Sequence, residues 1–166
     1  MNIILTAQGL LVNMNNSLTY RKATSDDLLS LIQLLSDDVL GKEREQFNDV
    51  IDNRYVKAFQ RIDADPNQYL MVVLLTDKIV GTCHLTIMPS LTFMGKTRMQ
   101  IEAVRVSEAY RGKKIGEWMM HAAIDYAKSQ DVSILQLTTN KQRLKAKQFY
   151  ERLGFQASHE GMKLYF

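Results

Sequence analysis

Apolar residues along this chain recur in two periods, one of two residues and one of three to four, and the switches between them mark its elements. Leu18 to Ala23 reads as a short strand. Thr24 or Ser25 then caps a helix whose first turn holds Asp26 and Asp27, where carboxylates face the positive end of the helix dipole. Leu28, Ile32, Leu35 and Val39 repeat at helical spacing, and Gly41 stops that run. Ile51, Tyr55, Ala58 and Ile62 predict a second helix, closed by Asp65-Pro66 because proline cannot continue it. Tyr69 to Leu75 is continuously apolar, Asp77-Lys78 reverses the chain, and Ile79 to Met88 alternates with Cys83, Leu85 and Ile87 on one face, which predicts a hairpin. A loop over Pro89 to Thr97 leads to a third antiparallel strand, Met99 to Val106.

The second half changes rhythm. A helix over Ile115 to Lys128 lies between that strand and another at Ile134 to Thr138, an order that predicts parallel pairing through a right-handed crossover. A last helix runs from about Arg143 to Leu153, with Gly154 as its left-handed stop. Phe155 to His159 and Met162 to Phe166 then predict a closing hairpin around Glu160-Gly161. The expected class is α/β (α+β), a mixed, mostly antiparallel sheet of about six to seven strands flanked by about four helices.

Composition narrows this picture without redirecting it. The 166 residues suffice for one ordinary domain, taken as 18–166, and no Pro/Gly/Ser-rich linker divides them. Hydrophobic residues at 46% and charged residues at 23% match soluble globular chains. A net charge of +3, with basic residues scattered apart from two local groups, argues against a nucleic-acid binder driven by counterion release. One cysteine, Cys83, permits no internal disulfide and fits a reducing compartment, so cytoplasmic is the default location. One Cys and three dispersed His give no support to zinc. Residues 1–17 read as an extension: Ile3 to Leu5 and Leu10 to Val12 are apolar but too interrupted for a signal peptide or membrane span. The nine methionines read as core filler.

The stretch with most chemical content is Arg111-Gly-Lys-Lys-Ile-Gly116, between the strand Met99 to Val106 and the helix that Ile115 opens. A basic, glycine-bearing turn there aims backbone N–H groups at whatever docks on the helix N-terminus. Gly112 and Gly116 let backbone approach an anion, while Arg111, Lys113 and Lys114 add charge. Thr138-Thr-Asn140 follows, then Lys147 to Phe155, a helix carrying Phe149-Tyr150 and ending in a glycine stop. These pieces suggest a phosphate-bearing cofactor and a nearby phenol.

The element order, with Val104-Arg-Val106, Arg111 to Gly116 and Phe149-Tyr-Glu-Arg-Leu-Gly-Phe155, resembles the GNAT superfamily of acyl-CoA-dependent N-acetyltransferases over about Leu18 to Phe166. That family's loop is Arg or Gln, two residues, Gly, one residue, then Gly or Ala; Arg111 and Gly116 match it, and Lys114 replaces the middle glycine. The resemblance implies that the loop, including Ile115, holds the pyrophosphate of acetyl-CoA, that Val104, Arg105 and Val106 offer main-chain groups to the pantetheine arm and the developing oxyanion, and that Tyr150 is the general acid. It further implies Asn140 beside the pantetheine, against a plain turn-and-cap role. One or two of Lys141, Arg143, Lys145 and Lys147 are candidates for the cofactor's 3′-phosphate, Lys147 foremost.

Acyl transfer to an amine also needs a base, because an alkylammonium of pKa near ~10 has no free lone pair at neutral pH. Glu102, on the strand face of Gln100 and Val104, is the leading candidate, with His84, on the face of Thr82 and Thr86, as the alternative. Cys83 lies on the apolar face and reads as a buried structural thiol rather than an acyl carrier. The expected partner is a small-molecule amine, with neither nucleic acid nor membrane, and an exposed strand edge or residues 1–17 as possible homodimer contacts. A non-catalytic acyl-CoA-binding or regulatory module, or a protein amine as acceptor, are the alternatives. The segments Asp37 to Glu45 and Pro89 to Thr97, which would line the acceptor pocket, carry no specificity motif.

Overall fold

A computed structural model describes residues 17–37 and 50–166. The expectations for residues 1–16, for Val39 and Gly41, and for most of the Asp37 to Glu45 segment lie outside the described residues. Five strands form one sheet among the described residues: β1 (Leu18–Lys22), β2 (Gln68–Leu75), β3 (Lys78–Met88), β4 (Arg98–Val106) and β5 (Ile134–Leu137), in that spatial order. The first four pair antiparallel and β5 joins β4 in parallel, Arg98 opposite Ile134 and Ile101 opposite Leu137. Four longer helices complete the frame: α1 (Leu28–Ser36), α2 (Asn53–Ala64), α3 (Ile115–Ser129) and α4 (Leu144–Arg152).

Local signals account for most boundaries. Thr24 caps a short 3-10 turn, Ser25–Asp27, that runs into α1. Asp27 closes this capping box: its carboxylate accepts from the Thr24 backbone N–H (2.7 Å) and from both arms of the Arg21 guanidinium (2.6 and 2.9 Å). Arg21 therefore holds the buried Asp27 carboxyl below the usual range. In the predicted stripe of α2, Ile51 and Tyr55 do pack against the core and Ile62 is half-buried, but Ala58 is exposed and Phe59 takes the buried position beside it. Gly154 takes the left-handed conformation (φ 92°) that stops α4, and the Phe155 N–H reaches back to the Tyr150 carbonyl.

Two apolar layers result. One face of the sheet supplies Met71, Val73, Cys83, Leu85, Met99 and Ile101 to a core closed by Ile115, Met119, Met120 and Ala123 of α3. The opposite face, at β2, meets Leu28, Leu31 and Ile32 of α1 and Phe59 of α2 through Val72.

The predicted closing hairpin is absent: residues 155–166 form no strand. Met162, Leu164 and Phe166 do alternate as a strand would, but Glu160 pairs with Lys141 and Gly161 lies near the Thr138 methyl, taking the segment past the end of β5 with no neighbouring strand to pair with. The sheet thus has five strands among the described residues instead of six or seven.

Candidate active site

The sheet opens at one place. After Ile101 faces Leu137 the parallel ladder ends, and two residues later Ala103 adopts a left-handed conformation (φ 50°). There the β3–β4 register shifts, with Thr82 opposite Arg105 but His84 opposite Glu102, so two residues of β4 oppose the single Cys83. This bulge lies just beyond the last β4–β5 pair, where such an insertion bends and twists its strand. It also overturns one sequence reading: Val104 packs with the α3 core, on the face of Ile101, whereas Glu102 remains exposed on the other face. The inserted residue reverses the alternation on which their shared face depended.

The open side of β4 meets two arginines. Arg105 Nη1 donates to the Val104 carbonyl (2.9 Å), and Arg111 donates from Nε to the Val106 carbonyl (3.3 Å) and from Nη2 to the Asp37 carbonyl (3.1 Å). Arg111 thereby ties the end of β4 to the residue that follows α1. Beyond it Gly112 (φ 77°) and Lys114 (φ 60°) both stand in the left-handed region. Lys114 accepts the backbone shape that glycine adopts at no cost, at a strain of about 1 kcal/mol or more. It precedes α3, whose first turn has no side-chain cap. The early α3 amides, preceded by Lys113 and Lys114, lack a side-chain cap and stand at the positive end of the helix dipole. Lys113 Nζ stands over the Tyr110 ring, 4.9 Å from its centre. Ile115 is buried in the α3 core, and a Cβ added at Gly116 would stand in ordinary contact with Phe149 and Val106 at 3.7 Å.

Tyr150 packs, half-buried, against the core on the α3 side of the sheet. Its ring packs edge-on against Phe149 and Phe155, centres 5.2 and 6.0 Å apart, and no hydrogen-bond partner for its hydroxyl is found among the described residues. Burial pushes the Tyr150 phenol above its ordinary value, while the positive charges of Arg143 and Arg105 pull it down. A phenol so placed keeps its proton through the neutral range.

On the other face, two polar rows cross the strands. Gln68 accepts from Thr86 (2.9 Å), and Gln136 donates to Gln100 (2.9 Å), while Thr86 stands opposite Gln100, so one row spans β2 to β5. In the next row His84 faces Glu102. Burial lowers the His84 imidazole, the Glu102 charge opposes that shift, and Nε2 is buried without a partner among the described residues. Sequence reasoning missed Gln68, Gln100 and Gln136 as a group, although polar residues at alternate positions of otherwise apolar strands were the available signal.

The remaining predicted residues lie at the margin. The Asn140 side chain accepts from the Gln142 N–H (2.9 Å) and its carbonyl from the Arg143 N–H, a turn that starts α4. Lys147 stands 3.8 Å from Glu151 on the exposed face of α4. Cys83 is fully buried beside Met71, with its thiol pushed up to about 12, as a structural thiol would be.

Residues 30–155 match the model of the acetyltransferase (GNAT) family. The chain belongs to that family of acyltransferases. It superposes on a protein from Bacillus halodurans C-125 described as a transcriptional regulator, with a TM-score of 0.87 and 44% identity over 90% of this chain and 99% of the other. A putative acetyltransferase from Agrobacterium tumefaciens is similar at a TM-score of 0.79 and 26% identity, over 89% and 99% of the two chains. In sequence, glucosamine 6-phosphate N-acetyltransferase of Trypanosoma brucei brucei is 33% identical over 89 residues, 54% of this chain and 58% of that protein. This chain thus spans little more than half the length of that curated relative. Among the described residues no helix is long and apolar enough to cross a membrane.

Proposed function

We propose that this protein is an N-acetyltransferase that transfers an acetyl group from acetyl-CoA to a primary amine of a small molecule, by direct attack while both substrates are bound. The observation that carries this reading is the opening between β4 and β5 at the Ala103 bulge, with the uncapped start of α3 below it and Tyr150 beside it. When bound, acetyl-CoA supplies an activated thioester carbonyl and a thiol leaving group.

Each part of the opening has a task. The α3 amides, Gly112, Lys113 and Lys114 hold phosphate oxygens, and the main chain of Val104 to Val106 lines the path of the pantetheine arm and the acyl oxygen. Arg105 and Arg111 fix the carbonyls on that edge. Glu102 and Tyr150 stand on opposite faces of the opening, so an amine can be deprotonated at a Glu102 carboxylate oxygen on one side while the Tyr150 hydroxyl delivers a proton on the other. His84, kept neutral beside Glu102, is available to share the proton. The similarity to glucosamine 6-phosphate N-acetyltransferase supports a small-molecule acceptor, and the polar rows Gln68–Thr86–Gln100–Gln136 and His84–Glu102 offer it hydrogen bonds.

The test mixes protein, acetyl-CoA and a panel of amines, with liberated thiol as the readout. Amine-dependent thiol release supports transfer. The B. halodurans protein described as a transcriptional regulator favours one other reading, a non-catalytic acyl-CoA sensor; coenzyme A binding without thiol release for any amine would select it.

A further inference from the structure

We infer that Arg98 selects the acceptor, by holding an anionic group, phosphate or carboxylate, that the amine carries at the end away from its nitrogen. This rests on the acyl-transfer reading and adds to it a residue that sets specificity. Arg98 opens β4 two positions before Gln100 and four before Glu102. Met99 and Ile101 between them turn into the α3 core, so all three polar residues stand on the opposite face. Arg98 is half-buried, yet no hydrogen bond or ion pair is found for its guanidinium among the described residues, and its Nε is shut off from solvent. Other arginines find acceptors: Arg21 grips Asp27, Arg105 the Val104 carbonyl, and Arg111 the carbonyls of Val106 and Asp37. A charged donor withdrawn from water without an acceptor is costly, and a bound anion removes that cost.

The chain's own carboxylates are placed for other tasks. Glu102 shares the strand and the face of Arg98 but lies four residues along it, roughly 13 Å away. Asp65, at the β2 end of the polar row, already accepts from the Asn67 N–H (2.9 Å) and the Gln68 side chain (3.5 Å). Between Arg98 and Glu102 stands Gln100, whose side-chain oxygen holds Gln136 Nε2 (2.9 Å) and so turns the other amide atoms of Gln136 to a ligand. An acceptor laid along β4 therefore meets a carboxylate at its amine, amides at its middle and a guanidinium at its far end. The planar fork of Arg98 suits two oxygens of one phosphate or carboxylate. With the two side chains leaning toward each other, the strand spacing sets the separation of nitrogen and anion at about 10 Å. A neutral amine leaves Arg98 unpaired, and a second ammonium group there is repelled.

The test uses pairs of amines that differ in the anion alone: aminohexyl phosphate against aminohexanol, and triglycine against triglycinamide, each with acetyl-CoA and a thiol readout. In one pair the anionic member should lead in kcat/KM by roughly tenfold or more, through KM, and the pair in which it does so tells phosphate from carboxylate. Arg98→Gln should bring that ratio close to one and Arg98→Lys should keep part of it, with circular dichroism to verify folding. Independently of turnover, adding aminohexyl phosphate or triglycine to the labelled protein saturated with coenzyme A should move the Arg98 and Gln136 amides, and should not do so in Arg98→Gln. Wild-type ratios at or below one in both pairs, a preference that survives Arg98→Gln, or amides unmoved by both anionic amines would each overturn the role of Arg98. Amide shifts that depend on Arg98 without thiol release from any amine would uphold the anion site and overturn the acyl-transfer reading alone.

Discussion

The two faces of the sheet obey different rules. Toward α3, Cys83, Leu85, Met99 and Ile101 are apolar and fully buried and Ile87 packs against them partly buried, a layer organised for packing alone. Away from α3, the same two strands present His84, Thr86, Gln100 and Glu102, while α1 and α2 pack on that face through an apolar cluster around Val72 of β2. The first face is packed for stability, while the second carries the polar rows of the strands. A strand that must serve both faces needs a place to change sides, and the bulge at Ala103 provides it.

Substitutions that tax one face and spare the other test this contrast. Leu85→Ala removes fully buried volume from the dry face and should cost about 3 kcal/mol in chemical denaturation, while the folded fraction keeps its turnover number; a loss of turnover with no loss of stability would erase the distinction. Tyr150→Phe should do the reverse, lowering turnover about a hundredfold with stability and coenzyme A affinity unchanged. Because the Tyr150 pKa is raised, the wild type should lose no activity through this group until the pH passes the ordinary phenol value near ~10, and an alkaline loss well below it would remove Tyr150 from the acid role. Lys114→Gly relieves a left-handed side chain and should raise stability by about 1 kcal/mol while weakening coenzyme A binding a few-fold through the lost cation. Gln136→Leu should leave stability within about 0.5 kcal/mol and raise KM for the amine but not for acetyl-CoA.

Sequence legibility divides along the same line. The dry face was written in period: Cys83, Leu85 and Ile87 alternate, α3 repeats its apolar residues, and the strand–helix–strand order gave the parallel β4–β5 pair. The Arg111 to Gly116 loop was legible too, because left-handed turns and helix starts leave local marks, and Lys114 does occupy the glycine-like conformation its position demanded. The bulge was not legible to the residue. Ala103 carries no left-handed preference, so its shape is imposed by the pairing around it, and the face of Val104 was misassigned for that reason. The closing hairpin failed differently: Met162, Leu164 and Phe166 have a strand pattern, but a pattern sets which side chains share a face and not which edge receives them. The polar row escaped notice because its members become neighbours only through inter-strand register.

The central claim is that the start of α3 grips the diphosphate of coenzyme A, and amide chemical shifts report on it directly. Titrating coenzyme A into the labelled protein should move the Gly112 to Glu117 amides first and furthest, with a second group at Val104 to Val106 and Thr138 to Asn140. Saturable binding that leaves the Gly112 to Glu117 amides unmoved, or no binding by the folded protein at all, would contradict the account.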